Sequence, residues 1–218
     1  MQEKTTDFRL FYGVVVISFI TTLMLFEQLD RFYYDKNHPL QVWRLITSHF
    51  VHFDSVHMLS NMLAYGLMIY LFPATIKQQI LALTFAMIAI NGYLIFSNVI
   101  VYAGFSGLVY TIPGITFGRF LQQKRYQQSI IMLVILFTYI FLISPQTHAG
   151  NITWQPNKPA HLIGFLSGLL THFFTTSRYS ALISTVQLSQ EPHLFVAIQQ
   201  RFHPANEQKP SDHLGEVD

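Results

Sequence analysis

Ser106 stands between Gly104 and Gly107 in an otherwise apolar stretch, with Tyr110 four residues further on. A serine in that setting is either helix-packing glue or a nucleophile on a backbone that allows close approach. A serine hydroxyl attacks poorly until a base takes its proton, and a neutral imidazole suits that task. His161 is the matching base. It is followed by Gly164 and Gly168, three and seven residues on, which puts the histidine on the stripe of a small-xxx-small packing face. Two glycine-bearing helices can approach closely enough for Ser106 and His161 to touch. Acyl transfer also needs donors for an oxyanion. His57 and Asn61, four residues apart and so on one helical face, can supply them together with the Ser106 backbone N–H.

Each feature has a plainer meaning on its own. A lone serine in an apolar helix usually bonds backbone, a histidine at a helix end is usually an interfacial residue, and paired glycines are common in membrane helices. Metal is the sharpest competing chemistry, because His49, His52 and His57 lie close together with Asp54 between them. No HExxH helix occurs, however. The apolar segments after the first carry no Asp or Glu, which argues against a two-aspartate protease and against proton or cation relays. The same lack leaves a Ser–His pair without an acid as third member. Neither metal nor cofactor is expected.

Composition says where such a site must sit. Only 11% of the 218 residues are charged and 51% are hydrophobic, against about 25% charged in a soluble domain. This predicts an all-α polytopic membrane protein. The net charge of +2 gives no reason to expect nucleic acid, and without cysteine there is neither disulfide nor thiolate chemistry. Six apolar segments are legible: 10–29, 57–72, 79–102 (with a turn near Asn91-Gly92 or Ser97-Asn98), 105–120, 129–144 and 159–174. Pro113 interrupts the fourth and predicts a kink. Asp30 to Val56 is aromatic and mixed, and reads as a subdomain lying in the membrane surface, with Trp43-Arg44 as a headgroup anchor. Positive charge favours an N-inside, C-inside topology: Lys77, Arg119, Lys124, Arg125 and Arg178 fall on one side, and the short loops opposite hold only Lys158. Ser106, His161, His57 and Asn61 then share one depth at the outer face. The expected organisation is a cytoplasmic N-terminus (1–9), a six-helix core (10–176) and a cytoplasmic, partly disordered tail (177–218). A short amphipathic helix is expected in the tail near 192–202.

Taken together, Trp43-Arg44, His52, His57 to Asn61, Gly104-Phe105-Ser106-Gly107 with Tyr110, and Ala160-His161 with Gly164 and Gly168 resemble the rhomboid intramembrane serine proteases. The resemblance covers 10–174 and implies a six-helix bundle with a membrane-embedded first loop. It implies Ser106 as nucleophile and His161 as base, with His57 and Asn61 as the oxyanion pair. It further implies Tyr110 packing on the histidine ring, His52 as a hydrogen-bonding residue of the first loop, and Gly107, Gly164 and Gly168 as close-approach positions. The implied activity is cofactor-free cleavage of transmembrane substrates near the outer face of a lipid bilayer, in a bacterial inner membrane. A rhomboid-like pseudoprotease that binds membrane helices without cutting them is the alternative. The compact form also fits a branch that processes C-terminal membrane anchors. Phe105 departs from the small or aliphatic residue often found before the serine.

Overall fold

The computed structural model describes residues 8–24, 26–138, 140, 147–149, 152–154 and 157–190. The expected amphipathic helix near 192–202 lies outside them. The chain divides into two compact units, 1–175 and 176–218. The second is described only as the helical continuation to Gln190.

Helix α1 (Arg9–Met24) leads through a 3-10 turn (Phe26–Arg31) into the first loop. That loop holds a two-residue strand β1 (Tyr34–Asp35) and a short helix α2 (Arg44–Thr47). Helix α3 (Ser55–Leu71) starts where the Asp54 side chain accepts the His57 N–H at 2.7 Å, an N-cap that satisfies one of the first-turn donors. Helix α4 (Ile76–Phe96) opens on a reciprocal capping box between Thr75 and Gln78. It runs straight through Asn91-Gly92, so the turn falls at the second of the two expected places, after Ser97. Strand β2 (Val101–Tyr102) follows and pairs antiparallel with β1, Tyr34 opposite Tyr102.

The fourth segment is two helices, α5 (Ser106–Val109) and α6 (Thr111–Gln122), separated at Tyr110. The expected kink at Pro113 is displaced to that residue for a physical reason. Proline has no N–H to give the Val109 carbonyl four residues back, so the ladder fails there, and Pro113 itself sits in the first turn of α6 where no donor is needed. Helix α7 (Tyr126–Thr138) follows, β3 (Thr147–Ala149) pairs antiparallel with β4 (Ile152–Trp154) within the expected polar loop, and α8 (Lys158–Gln190) is the last element among the described residues. Asn157 caps α8 by accepting the Ala160 N–H at 3.0 Å. The helix continues well past the expected end near 174.

Among the described residues, one helix, Ile76–Phe96, is long and apolar enough to cross a membrane by length and composition; Arg9–Ser18 and Tyr126–Thr138 are shorter apolar helices. The core is a cluster in which Tyr65, Ile69, Ala86, Ile90, Phe105, Leu108 and Ile112 are buried. Outward faces carry large apolar side chains such as Leu63, Tyr70, Ile88, Ile130 and Ile135, which water-facing surfaces avoid in such density.

Two supports matter for the site. The first is Arg44, which was expected to anchor at headgroups. It is instead only 5% exposed. Its Nη1 donates to the carbonyls of Asp30 (2.6 Å) and Tyr33 (2.7 Å), and its Nε to Gln41 Oε1 (2.6 Å), so the guanidinium ties the first loop together. Trp43 remains half exposed and donates its indole N–H to the Arg31 carbonyl.

The second support is the seam between α8 and α5–α6. A Cβ built on Gly164 lies 1.9 Å from the Gly107 carbonyl oxygen, one on Gly168 lies 2.0 Å from that of Thr111, and one on Gly114 lies 2.0 Å from that of Phe165. The backbones touch with no side chain between them. Gly164→Ala therefore forces the helices apart. It is expected to cost about 3 kcal/mol, as overpacking of a close-packed contact does, read as a lower unfolding midpoint in detergent. Wild-type melting of this variant would show that the seam is not closed.

Candidate active site

Three helices, α3, α5 and α8, converge at one end of the bundle. Ser106 is the first residue of α5, and His161 lies in the opening turn of α8. The seam brings their side chains to a hydrogen bond, Ser106 Oγ to His161 Nε2, at 3.0 Å. With the imidazole proton on Nδ1, Nε2 accepts the serine O–H, the polarity a general base needs. His161 Nδ1 has no hydrogen-bond partner among the described residues. The ring is held instead by Tyr110, stacked on it at 4.5 Å between centroids and 24° between planes.

From α3, His57 and Asn61 face the same cavity as Ser106, Tyr110 and His161. Asn61 Nδ2 is a buried donor with no hydrogen-bond partner among the described residues. Gly104 lets the two sides meet: its φ is +118°, which L side chains rarely adopt, and a Cβ there would lie 2.7 Å from His57 Cε1. Gly107 is bare for a similar reason, since a Cβ would lie 2.9 Å from Ile90 Cδ1 and 3.3 Å from the Ala160 carbonyl oxygen.

The cavity, about 810 Å³, is a groove. It begins at Val56, Ser106 and His161 and continues between α3 and α7 to Phe72, Phe120 and Gln128. Apart from Ser60 and Gln128, its length is lined by apolar side chains such as Leu67, Met68, Ile131 and Ile135. A polar, reactive end on an apolar trough suits an apolar chain segment presented to a water-using chemistry.

His52 lies outside the groove. Its Nε2 accepts the Phe105 N–H at 3.3 Å, so it acts on the backbone before Ser106. The residues that also suggested a metal have separate occupations: His49 Nε2 meets Asn91 Oδ1 at 3.2 Å, and Asp54 caps α3. No group of three or more metal-capable side chains occurs among the described residues. Sequence reasoning overlooked Gly114, although its four-residue spacing to Gly118 repeats the pattern credited to α8. It also overlooked Tyr102, whose hydroxyl donates to the Gly104 carbonyl at 3.2 Å.

The helical bundle thus places a hydrogen-bonded serine and histidine at the mouth of an apolar groove. The sequence profile of the rhomboid domain matches residues 39–178, and the chain belongs to the rhomboid family, whose members are in general serine intramembrane proteases. No curated protein matches the sequence.

Two buried histidines of the first loop make stability depend on pH. Burial pushes His49 down to about 4, with the Asn91 bond opposing, and burial with the neighbouring His57 ring pushes His52 down to about 3. An unfolded histidine titrates near ~6.5. Between these values the unfolded chain binds more protons, so stability is complete above about 6.5 and declines as pH falls toward 3. Thermal midpoints in detergent should fall through this range, and less steeply in His49→Gln. A flat midpoint down to pH 4 would contradict the burial of these rings.

Proposed function

We propose that the chain is an intramembrane serine endopeptidase that hydrolyses a peptide bond in the transmembrane segment of a membrane protein. The observation that carries this is the 3.0 Å contact between Ser106 Oγ and His161 Nε2 at the end of the groove between α3 and α7. The setting is a six-span bundle, with the termini and the 177–218 tail in the cytoplasm of a bacterial cell and the site near the outer face. The apolar outward surfaces and the short-loop charge bias support it. An apolar substrate helix lies along the groove and unwinds at its polar end, where backbone becomes accessible.

Ser106 Oγ attacks the substrate carbonyl carbon while His161 Nε2 takes the hydroxyl proton. The resulting oxyanion receives Asn61 Nδ2, the His57 ring and the Ser106 N–H. Collapse breaks the C–N bond, and His161 returns its proton to the departing amine. Water, deprotonated by the same imidazole, then hydrolyses the acyl-enzyme. Tyr110 keeps the ring in plane through both transfers. No cofactor enters any of these steps.

Purified protein should cleave a reporter transmembrane substrate, and Ser106→Ala or His161→Ala should abolish cleavage. Full activity in either variant would remove the assignment. A fluorophosphonate should label Ser106, which separates a protease from a binding-only relative. Asn61→Ala should lower kcat by about 10²-fold, as loss of one oxyanion donor does, with KM little changed; an unaltered kcat would take Asn61 out of the oxyanion site.

A further inference from the structure

The peptide bond between Gly104 and Phe105, one residue ahead of the Phe105–Ser106 bond, is gripped from both sides. The Gly104 carbonyl accepts from the Tyr102 hydroxyl at 3.2 Å, and the Phe105 N–H donates to His52 Nε2 at 3.3 Å. One atom group earlier, the Gly104 N–H donates to the Ser48 carbonyl at 2.9 Å. This is the place where the backbone most needs holding. A peptide flips by rotating the ψ of one residue against the φ of the next, and glycine resists that rotation least. Gly104 also touches the oxyanion side of the site, since a Cβ on it would lie 2.7 Å from His57 Cε1 and 3.7 Å from Asn61 Nδ2. Rotation about the ψ bond of Gly104 or the φ bond of Phe105 that the other does not compensate moves Phe105 and, with it, the backbone that carries the Ser106 N–H and Oγ.

Tyr102 is built to supply that grip. It is buried, and its main chain is fixed by the pairing of β2 with β1. The His49 ring meets it edge-on at 5.5 Å. His49 in turn contacts Asn91 Oδ1, and Asn91 Nδ2 donates to the Leu45 carbonyl at 2.8 Å. The hydroxyl lies where Gly107 leaves room, 3.2 Å from the position a Cβ there would take. Its path to the nucleophile thus runs through one carbonyl and one glycine.

We infer that Tyr102 is a positioning residue of the proposed proteolysis: its hydroxyl and His52 clamp the Gly104–Phe105 peptide plane, and so hold the Ser106 N–H in the oxyanion site and the Ser106 Oγ on His161. The inference rests on the protease reading and adds a residue to it. Tyr102 contacts no substrate. Its loss lets the plane rotate, which lowers the chemical step and leaves groove binding as it was.

The test is Tyr102→Phe in the full chain, purified in detergent and assayed with the reporter substrate. It removes one oxygen and keeps the ring. Because small misplacements of reacting groups cost up to about 10²-fold in rate, kcat is expected to fall at least about tenfold. KM should hold within about twofold, and the thermal midpoint should stay near that of the wild type. Wild-type kcat in Tyr102→Phe, or a loss that merely tracks unfolded protein, overturns the role. If Tyr102→Phe proves unstable, the other half of the clamp decides. His52→Gln keeps an acceptor for the Phe105 N–H and should retain more kcat than His52→Leu at matched folded fraction; equal values overturn the clamp. Failure of the protease reading is distinguishable: the wild-type chain would then neither cleave the reporter nor be labelled at Ser106, and the positioning role would fall with it.

Discussion

Helix α8 lies on α5 and α6 with backbone against backbone, and the candidate site exists only because of that contact. Gly164 over Gly107 and Gly168 over Thr111 set two helices side by side, running the same way and starting at the same end. In that register the first turns of both helices meet, and the residues there are Ser106 and His161. In lipid there is no hydrophobic gain to drive two helices together, because the tails are as apolar as the side chains. Close packing of small residues, and the polar contacts it permits, must do so. The seam is therefore both the cohesion between these helices and the ruler that sets a 3.0 Å hydrogen bond.

The seam fixes α5 from one side only; the first loop, with β2 paired to its strand β1, fixes it from the other. The segment before Ser106 bonds to Ser48, His52 and Tyr102, none of which belongs to α8. That arrangement accounts for the odd composition of the first loop. A segment that must reach under a buried turn with hydrogen-bonding groups cannot be wholly apolar, and one that sits against lipid cannot be wholly polar. Arg44 resolves the conflict locally by giving three bonds to the loop's own acceptors, two of them the main-chain carbonyls of Asp30 and Tyr33. Thr47 does the same for Phe32 at 2.7 Å.

What could be read in the sequence follows from this division of labour. The seam is periodic, so the spacing of His161, Gly164 and Gly168 exposed it, and His57 with Asn61 did the same for α3. Gly114 carried an equivalent signal and was passed over because one glycine face was enough to explain the approach. The loop contacts are not periodic. Whether Tyr102 reaches a carbonyl two residues on depends on a pairing between β1 and β2 across a long separation in sequence. The burial of Arg44 depends on where the 3-10 turn and the bend after it place the carbonyls of Asp30 and Tyr33. The break at Tyr110 was attributed to Pro113 itself, although the lost hydrogen bond lies four residues earlier in the chain. The six-span count rested on runs of apolar residues, and those runs include turns and strands that shorten the helices.

Among the described residues no carboxylate, the partner that orients the histidine in water-facing triads, bonds His161 Nδ1, and the proposed dyad can be argued to work without one. A resident carboxylate beside His161 would have to stay ionised in an apolar bundle through every idle state, at a cost of several kcal/mol unless fully paired. Proton transfer from Ser106 to His161 instead creates charge only as a pair, an imidazolium and an oxyanion held a few ångströms apart, so the site is neutral both before and during the step. The two jobs left over are orientation and stabilisation of the imidazolium. Tyr110, stacked on the ring at 4.5 Å, serves the first by contact. It serves the second by presenting a π face to a cation, an interaction that strengthens as water is excluded. In this reading the aromatic ring takes the place of the missing acid, because it meets both needs and adds no charge to the membrane.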